Sequence, residues 1–409
     1  MKINNVKRYK LTLKNALYRF DNTAVLRLPD VSADFEKMLV IKGRIGSGKT
    51  MLLKTLGGVV CPSSGEALLS KTEASGKTGQ TYGYFVHSQP EFNFVTGTVG
   101  DELDFAGISG DAFTPYLKRN VNELSGGELK KIAVMMALAA SEDVVLLDEP
   151  LDMLDDLQCE LMAEYIAEKS VEKPVIIATH DGHFDKCADV LIHTDDETDR
   201  TERFIAVPYC IDRLCERNVF SDKLLSVRDF AVCIGDKILS KISVDSNAGE
   251  IVSLFGMNGS GKTLFARTAG GIGKLNATGG LEWNVEKRLR GFCMQFPEHM
   301  AYQETIFQEI ADITGRGNAG AVIDALGWRG REDSSPFLLS EGEKRIMYIV
   351  AILSCKQYCL FDEPFAGLDT KTAYFIADLM IKARNGGKGI FYTTNRKSHT
   401  VYADKVINI

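Results

Sequence analysis

A glycine-rich segment, GRIGSGKT at 43–50, returns as GMNGSGKT at 256–263. LSGGE at 124–128 returns as LSEGE at 339–343, and VVLLDEP at 144–150 as YCLFDEP at 358–364. Three motifs recur in the same order at an offset of about 214 positions. The repeated unit is therefore roughly 200 residues, too long for a solenoid repeat. A whole domain has been duplicated, and whatever fold the first half adopts the second must adopt too.

The 409 residues leave room for two such domains at roughly 100–200 residues each. The boundaries expected are 1–200 for the first, 201–222 for a linker and 223–409 for the second. The charged run DDETDRTER (195–203) reads as solvated chain beside that linker. The strand-like LLSVRDFAV (224–232) opens the second unit much as YKLTLKNALYRF (9–20) opens the first. The longest apolar stretches, such as IAVMMALAA at 132–140, fall short of the ~18–20 residues that cross a bilayer. The basic start MKINNVKRYK is followed by no apolar run and does not read as a signal peptide. A formal charge of −7 argues against a nucleic-acid footprint, and nucleic acid is not expected as a partner. Nine cysteines without a CxxC pair read as reduced thiols.

Each unit reads as α/β. MLVIK (38–42) and IVSLF (251–255) run into the glycine-rich loops, and helical apolar spacing follows each. VVLLD, YCLFD, VIIAT (175–179) and GIFYTT (389–394) are apolar runs suited to buried parallel strands. Strands alternating with helices imply right-handed βαβ units.

GxxxxGK[ST] is the P-loop pattern, in which backbone N–H groups and a helix N-terminus cradle phosphate. The residues expected to do so are Gly43, Gly46, Ser47, Gly48, Lys49 and Thr50, and then Gly256, Asn258, Gly259, Ser260, Gly261, Lys262 and Thr263. Lys49 and Lys262 should reach the β- and γ-phosphates, and Thr50 and Thr263 should ligate Mg2+. Asp148 and Asp362, closing apolar strands, suit a second Mg2+ contact. Glu149 and Glu363, one residue on, are placed to polarise an attacking water. Ser125 to Glu128 and Ser340 to Glu343 fit the S-x-x-E capping box. Such helix starts also offer N–H groups to an anion, through Ser125, Gly126 and Gly127 and through Ser340 and Gly342.

P-loop, LSGGE, LLDEP and ATH in this order resemble the ATP-binding-cassette (ABC) ATPases over nearly the whole chain, twice. The fold this implies is α/β: two P-loop NTPase nucleotide-binding domains in tandem, each with a small helical subdomain, packed head to tail. ATP and Mg2+ are the implied cofactors. Gln89 (HSQPEF) and Gln295 (MQFPEH) match the Q-loop glutamine, which senses Mg2+ and water. Asp155 and Asp369 match the D-loop, and His180 (ATHD) the switch histidine at the γ-phosphate. An aromatic before the first P-loop, Tyr18 or Phe20, is a candidate adenine platform. Val232, Cys233 and Ile234 make a weak one in the second copy.

In this family each ATP lies between one cassette's P-loop and the other's signature, so an intramolecular cassette dimer is expected. Site one joins 43–50, Gln89, Asp148, Glu149 and His180 to 339–343. Site two joins 256–263, Gln295, Asp362, Glu363 and Asn395 to 124–128. Asn395 stands where the first copy has histidine, and an amide cannot become a cation. Glu341 replaces the middle glycine of the signature facing site one, and Ile45 replaces the loop's usual asparagine. The expectation is that site one does most of the hydrolysis and site two turns over slowly. QPEFNFVTGTVGDELDF (89–105), with T-V-x-x-E-L repeated as TIFQEI (305–310), resembles energy-coupling factor (ECF) and cobalt-type importer ATPases. That resemblance implies uptake of a vitamin or a transition-metal ion. It also implies a transmembrane coupling subunit, a substrate-binding membrane subunit, and a peripheral place on the cytoplasmic face of the membrane. The alternatives are a tandem sugar-importer ATPase, a soluble tandem ABC protein acting on ribosome or DNA, and a nearly inactive nucleotide switch.

Overall fold

The computed structural model describes residues 8–20, 24–43, 47–73, 75–194, 223–234, 237–239, 241–272 and 277–409. Contacts divide the chain into two compact units, Met1–Asp196 and Glu197–Ile409. The linker expected at 201–222 lies outside the described residues.

The first unit has two sheets. In the antiparallel one, β1 (Arg8–Phe20) pairs with β2 (Ala24–Arg27), β3 (Val31–Phe35) and β5 (Ser64–Thr72), and β6 (Thr78–Thr81) extends it. The parallel sheet takes β4 (Met38–Lys42), β7 (Tyr84–Val86), β8 (Val145–Asp148), β9 (Val175–Thr179) and β10 (Val190–His193) in the order β10-β4-β9-β8-β7. Every residue of β8 and β9 is buried, which is why these strands read as unbroken apolar runs. The second unit repeats the plan. β11 (Lys223–Ile234), β12 (Lys237–Ile238), β13 (Ile242–Asn247) and β15 (Ala277–Trp283) make its antiparallel sheet. β14 (Ile251–Phe255), β16 (Arg290–Cys293), β17 (Tyr358–Phe361), β18 (Gly389–Thr394) and β19 (Lys405–Asn408) make its parallel sheet, in the order β16-β17-β18-β14-β19.

The duplication extends to backbone strain. β1 buries Tyr9, Leu11 and Leu13, then Ala16 and Tyr18, so its inward parity switches at Asn15. Asn15 is left-handed (φ 49°), and the register with β5 shifts there. Gly65 lies opposite with φ 78°, where a Cβ would meet the Asn15 carbonyl oxygen at 2.0 Å. The second unit has the same bulge at Asp229 (φ 45°) against Gly279 (φ 84°).

The helices of the first unit are α1 (Lys49–Leu56), α2 (Val99–Ala106), α3 (Gly126–Ala139) and α4 (Asp156–Ser170). Those of the second are α5 (Lys262–Ala269), α6 (Ile306–Thr314), α7 (Arg316–Ala325), α8 (Glu341–Cys355) and α9 (Thr370–Asn385). α3 is apolar on two faces. Ala133, Val134 and Ala137 pack on the parallel sheet. Leu129, Ile132 and Met136 pack with Val99, Leu103, Phe113 and Val121 of the small helical subdomain. At about 1.5–3 kcal/mol per fully buried large apolar side chain, that second face suffices to fix the start of α3, where LSGGE lies. No helix among the described residues is long and apolar enough to cross a membrane.

Candidate functional site

Each glycine-rich loop leaves the C-terminal end of a central parallel strand, β4 or β14, and runs into α1 or α5. Gly48 (φ 94°) and Gly261 (φ 104°) are left-handed N-caps of those helices. A Cβ on Gly48 would also come within 2.7 Å of Leu26. Gly46, with Arg44 and Ile45, lies outside the described residues. Both loop lysines are buried with their ammonium groups inside the loop. Lys49 donates to the Gly43 carbonyl (2.6 Å), and Lys262 to those of Gly256 (2.8 Å) and Met257 (3.1 Å).

Across from each loop lies a carboxylate at the end of the strand one removed from it in the sheet, β8 beyond β9 or β17 beyond β18. Thr50 Oγ1 donates to Asp148 Oδ2 at 2.8 Å, and Thr263 Oγ1 to Asp362 Oδ1 at 3.3 Å. Asp148 Oδ1 is buried without a hydrogen-bond partner. Burial and the adjacent Glu149 push Asp148 up to about 6, and burial raises Asp362 as well. A hydroxyl beside a buried, half-paired carboxylate is a donor set that fits a hard dication such as Mg2+. Thr393 also donates to Asp362 Oδ1, at 2.5 Å.

Glu149 (φ 46°) and Glu363 (φ 49°) both take the left-handed conformation that L side chains avoid. Each carboxylate stands 3.7 Å from the lysine of its own loop. In the first unit Glu149 Oε2 accepts from the His180 backbone N–H (3.3 Å) and lies 2.9 Å from His180 Nδ1. Burial opposes charge on this pair, but each partner stabilises the other's ion. Glu149 is held below the usual carboxylate range, and His180 is lifted to about 9. In the second unit Glu363 keeps only the backbone half of this arrangement, the Asn395 N–H at 3.2 Å. The Asn395 amide instead donates to Asn258 Oδ1 of the P-loop at 3.1 Å. Burial, against the pull of Lys262, raises Glu363 to about 7.

The sequence profile described as ABC transporter matches residues 29–152 and 239–366, more than half of the chain. The chain belongs to the ABC transporter family. It is an ABC ATPase with two cassettes in tandem, and ABC cassettes bind ATP. A Treponema denticola protein named for an ABC transporter ATP-binding role is 26% identical, over 88% of this chain and 87% of its own length. A Bacillus subtilis protein named for HMP/thiamine import ATP binding is 22% identical, over 97% of this chain and 89% of its own. Among solved structures, a chain from a model of ribosome-bound archaeal Pelota and ABCE1 has a TM-score of 0.66 at 21% identity, covering 96% of this chain and 76% of that one. This last likeness is one of fold.

The remaining ABC motifs take defined places. Both signatures form complete capping boxes, with Ser125 and Glu128 at the start of α3 and Ser340 and Glu343 at the start of α8. Gly126, Gly127 and Gly342 lie in those first turns, as does Glu341, the first residue of α8. Arg119 and Arg331 steady Glu128 (2.6 Å) and Glu343 (3.1 Å). Asp155 and Asp369 cap α4 and α9. Gln89 is buried, with its N–H on His87 Nδ1 (3.0 Å) and its carbonyl accepting from Asn93 (3.3 Å). Gln295 accepts through its carbonyl from Arg345 at 2.7 Å. The counterpart of Arg345 is Lys130, wholly buried, which grips the His87 and Ser88 carbonyls. These two cations tie signature helix to Q-loop, and sequence reasoning missed them. Their signal was a basic residue at the same offset after the signature in both copies. The glutamate of T-V-x-x-E is a buried clasp. Glu102 accepts from the Val95 and Thr96 N–H groups, and Glu309 from those of Tyr302 and Gln303.

One expectation is corrected. Tyr18 is 3% exposed and its hydroxyl bonds Thr55 Oγ1 at 2.8 Å, so it cannot stack on adenine. The bulge at Asn15 turns it into the core. The side chain of Phe20 lies outside the described residues.

Proposed function

We propose that the chain is the ATP-hydrolysing subunit that energises an importer, of the ECF type, for a vitamin or a transition-metal ion. The two cassettes close on two ATP molecules, each held by one unit's P-loop and the other unit's signature. Lys49 and Lys262 bind the phosphates, and Thr50, Asp148 and Gln89, or Thr263, Asp362 and Gln295, hold Mg2+. Bound there, Mg2+ neutralises charge on the β- and γ-phosphates. Glu149 polarises water and His180 contacts the γ-phosphate at site one. Site two, with Asn395 in that place, binds ATP and turns it over slowly. Closure and reopening move a membrane partner on the cytoplasmic face.

The observation that carries the importer reading is an exposed apolar run just past Gln89. Phe92, Val95 and Phe105 are 69%, 74% and 76% exposed. The clasp of Glu102 on the Val95 N–H holds this loop against α2, which carries Phe105. Large apolar side chains held out on an ordered loop suit a protein partner. The relative named for HMP/thiamine import supports a vitamin as cargo. The fold likeness to a chain from a ribosome-bound assembly keeps a second reading, action on the ribosome.

The test is capture of the tagged chain from detergent-solubilised membranes, beside a Phe92→Asp/Phe105→Asp variant. The expected result is a multi-span coupling protein with a small membrane-embedded binding protein, both lost from the variant. Ribosomal proteins, captured equally by both chains, would overturn the importer reading.

A further inference from the structure

Glu149 does not meet His180 alone. Asp152, in the turn after β8, brings a carboxylate to the same place, so that one donor atom from each of Glu149, Asp152 and His180 lies within 4.8 Å of the others. We propose that these three side chains form a binding site for a transition-metal dication of the Zn2+ class, and that a metal held there withholds Glu149 from water. Only the second half of this proposal rests on the role given to Glu149 above.

The donor chemistry separates the site from that of Mg2+. Thr50 and Asp148 offer oxygen alone, the preference of a hard ion. One imidazole nitrogen with two carboxylates, leaving positions open, is a set for Zn2+, Co2+ or Mn2+. The donors come from three backbone positions: the residue after β8, the turn beyond it, and the residue after β9. Two of them are already in place, with Glu149 Oε2 and His180 Nδ1 2.9 Å apart. In a tetrahedral site with bonds of about 2.1 Å, donors lie roughly 3.4 Å apart, so closure asks for side-chain shifts of about an ångström. Glu149 can offer Oε2 because Oε1 faces Lys49 at 3.7 Å. That ammonium repels a dication. Asp181, turned toward His183 at 3.1 Å, contributes negative charge on the opposite account. The proton on His180 must leave when metal binds, as it must for any histidine ligand.

The second unit is the internal control. Asn395 stands at the position of His180 and Ala366 at that of Asp152, so Glu363 has neither partner. The duplicate has the same strand ends and the same left-handed glutamate without the donor set. A metal at the first site would occupy the oxygen that is meant to face water, and would silence the better-equipped of the two sites.

The experiment uses the full chain, free of nucleotide, with exposed thiols alkylated because Cys61 and Cys187 also bind soft metals. Co2+ is titrated in excess Mg2+ and its visible d–d absorption followed. One Co2+ per chain, displaced by Zn2+, is expected, and binding should weaken by about tenfold or more in Asp152→Asn and in His180→Asn. The two substitutions act on different elements, so a folding failure in one leaves the other to decide. In ATP hydrolysis, the Zn2+ concentration giving half-inhibition, each chain measured against its own metal-free rate, should rise about tenfold in Asp152→Asn. Co2+ binding unchanged in both variants would overturn the site. Binding lost in the variants, with Zn2+ inhibiting Asp152→Asn as strongly as the unaltered chain, would keep the site and overturn its hold on Glu149.

Discussion

The two cassettes place the same groups on the same backbone and still differ in electrostatics. In both, a lysine stands 3.7 Å from a left-handed glutamate that accepts an N–H from the residue after the next strand. In the first, that residue's side chain is an imidazole on the glutamate. In the second, it is an amide that turns away to Asn258. Beside His180 and Lys49, Glu149 is held below its ordinary range, whereas burial raises Glu363 to about 7. A duplicated fold can thus hold two acidities for one carboxylate, and the imidazole at the switch position is one of the groups that favour the ionised form in the first cassette.

The largest test of this comparison removes the glutamates one at a time. Glu149→Gln should lower steady-state ATP hydrolysis about a hundredfold or more, the scale of a lost general base. Glu363→Gln should change it by no more than about twofold on the proposal that the second site turns over slowly. Equal losses from the two variants, read in one ATPase assay, would end the claim of unequal sites.

The next test exchanges the partners. His180→Ala should cost about tenfold in turnover, less than Glu149→Gln because the glutamate remains. Asn395→His should give Glu363 the imidazole it lacks and raise hydrolysis in a chain already carrying Glu149→Gln. The assay is single-turnover hydrolysis with saturating ATP. A His180→Ala chain that keeps most of its activity would remove histidine from the account.

What the sequence made legible here was the local chemistry. P-loops, strand-end carboxylates and capping boxes are short patterns in which neighbouring residues act together, and they sit on strands and helices as their spacing requires. What it hid depends on distant residues or on backbone irregularity. Tyr18 looked available until the bulge at Asn15 reversed the strand's parity. Lys130 and Arg345 carry no local motif, and their role depends on Q-loop carbonyls 43 and 50 positions earlier in the chain. Asp152 is unremarkable in the chain and joins Glu149 and His180 only because β8 and β9 end side by side. The amide of Asn395 gains its meaning from Asn258, on a different strand's loop.

The smallest effect is on stability, and the two glutamates should respond to pH over different ranges. Glu363 rises from an ordinary 4.5 to about 7, so the folded second unit binds a proton that the unfolded chain releases. That contribution is full below pH 4.5 and is lost as pH rises through 7. His180 rises from 6.5 to about 9, so its contribution is full below pH 6.5 and is lost as pH rises through 9. Glu149, held low, contributes above 4.5 and loses its share as pH falls through its lowered value. The Glu149–His180 pair is therefore complete between about 4.5 and 6.5, a range in which Glu363 is already losing its share, as is Asp148 in the first unit. Both tryptophans, Trp283 and Trp328, lie in the second unit, so their fluorescence during urea unfolding reports that unit alone. In nucleotide-free, Mg2+-free protein, the tryptophan midpoint should fall from pH 5 to 7 by an amount worth on the order of 1–2 kcal/mol, and Glu363→Gln should flatten that fall. A midpoint that falls just as steeply in Glu363→Gln would place the proton elsewhere and erase the electrostatic difference between the cassettes.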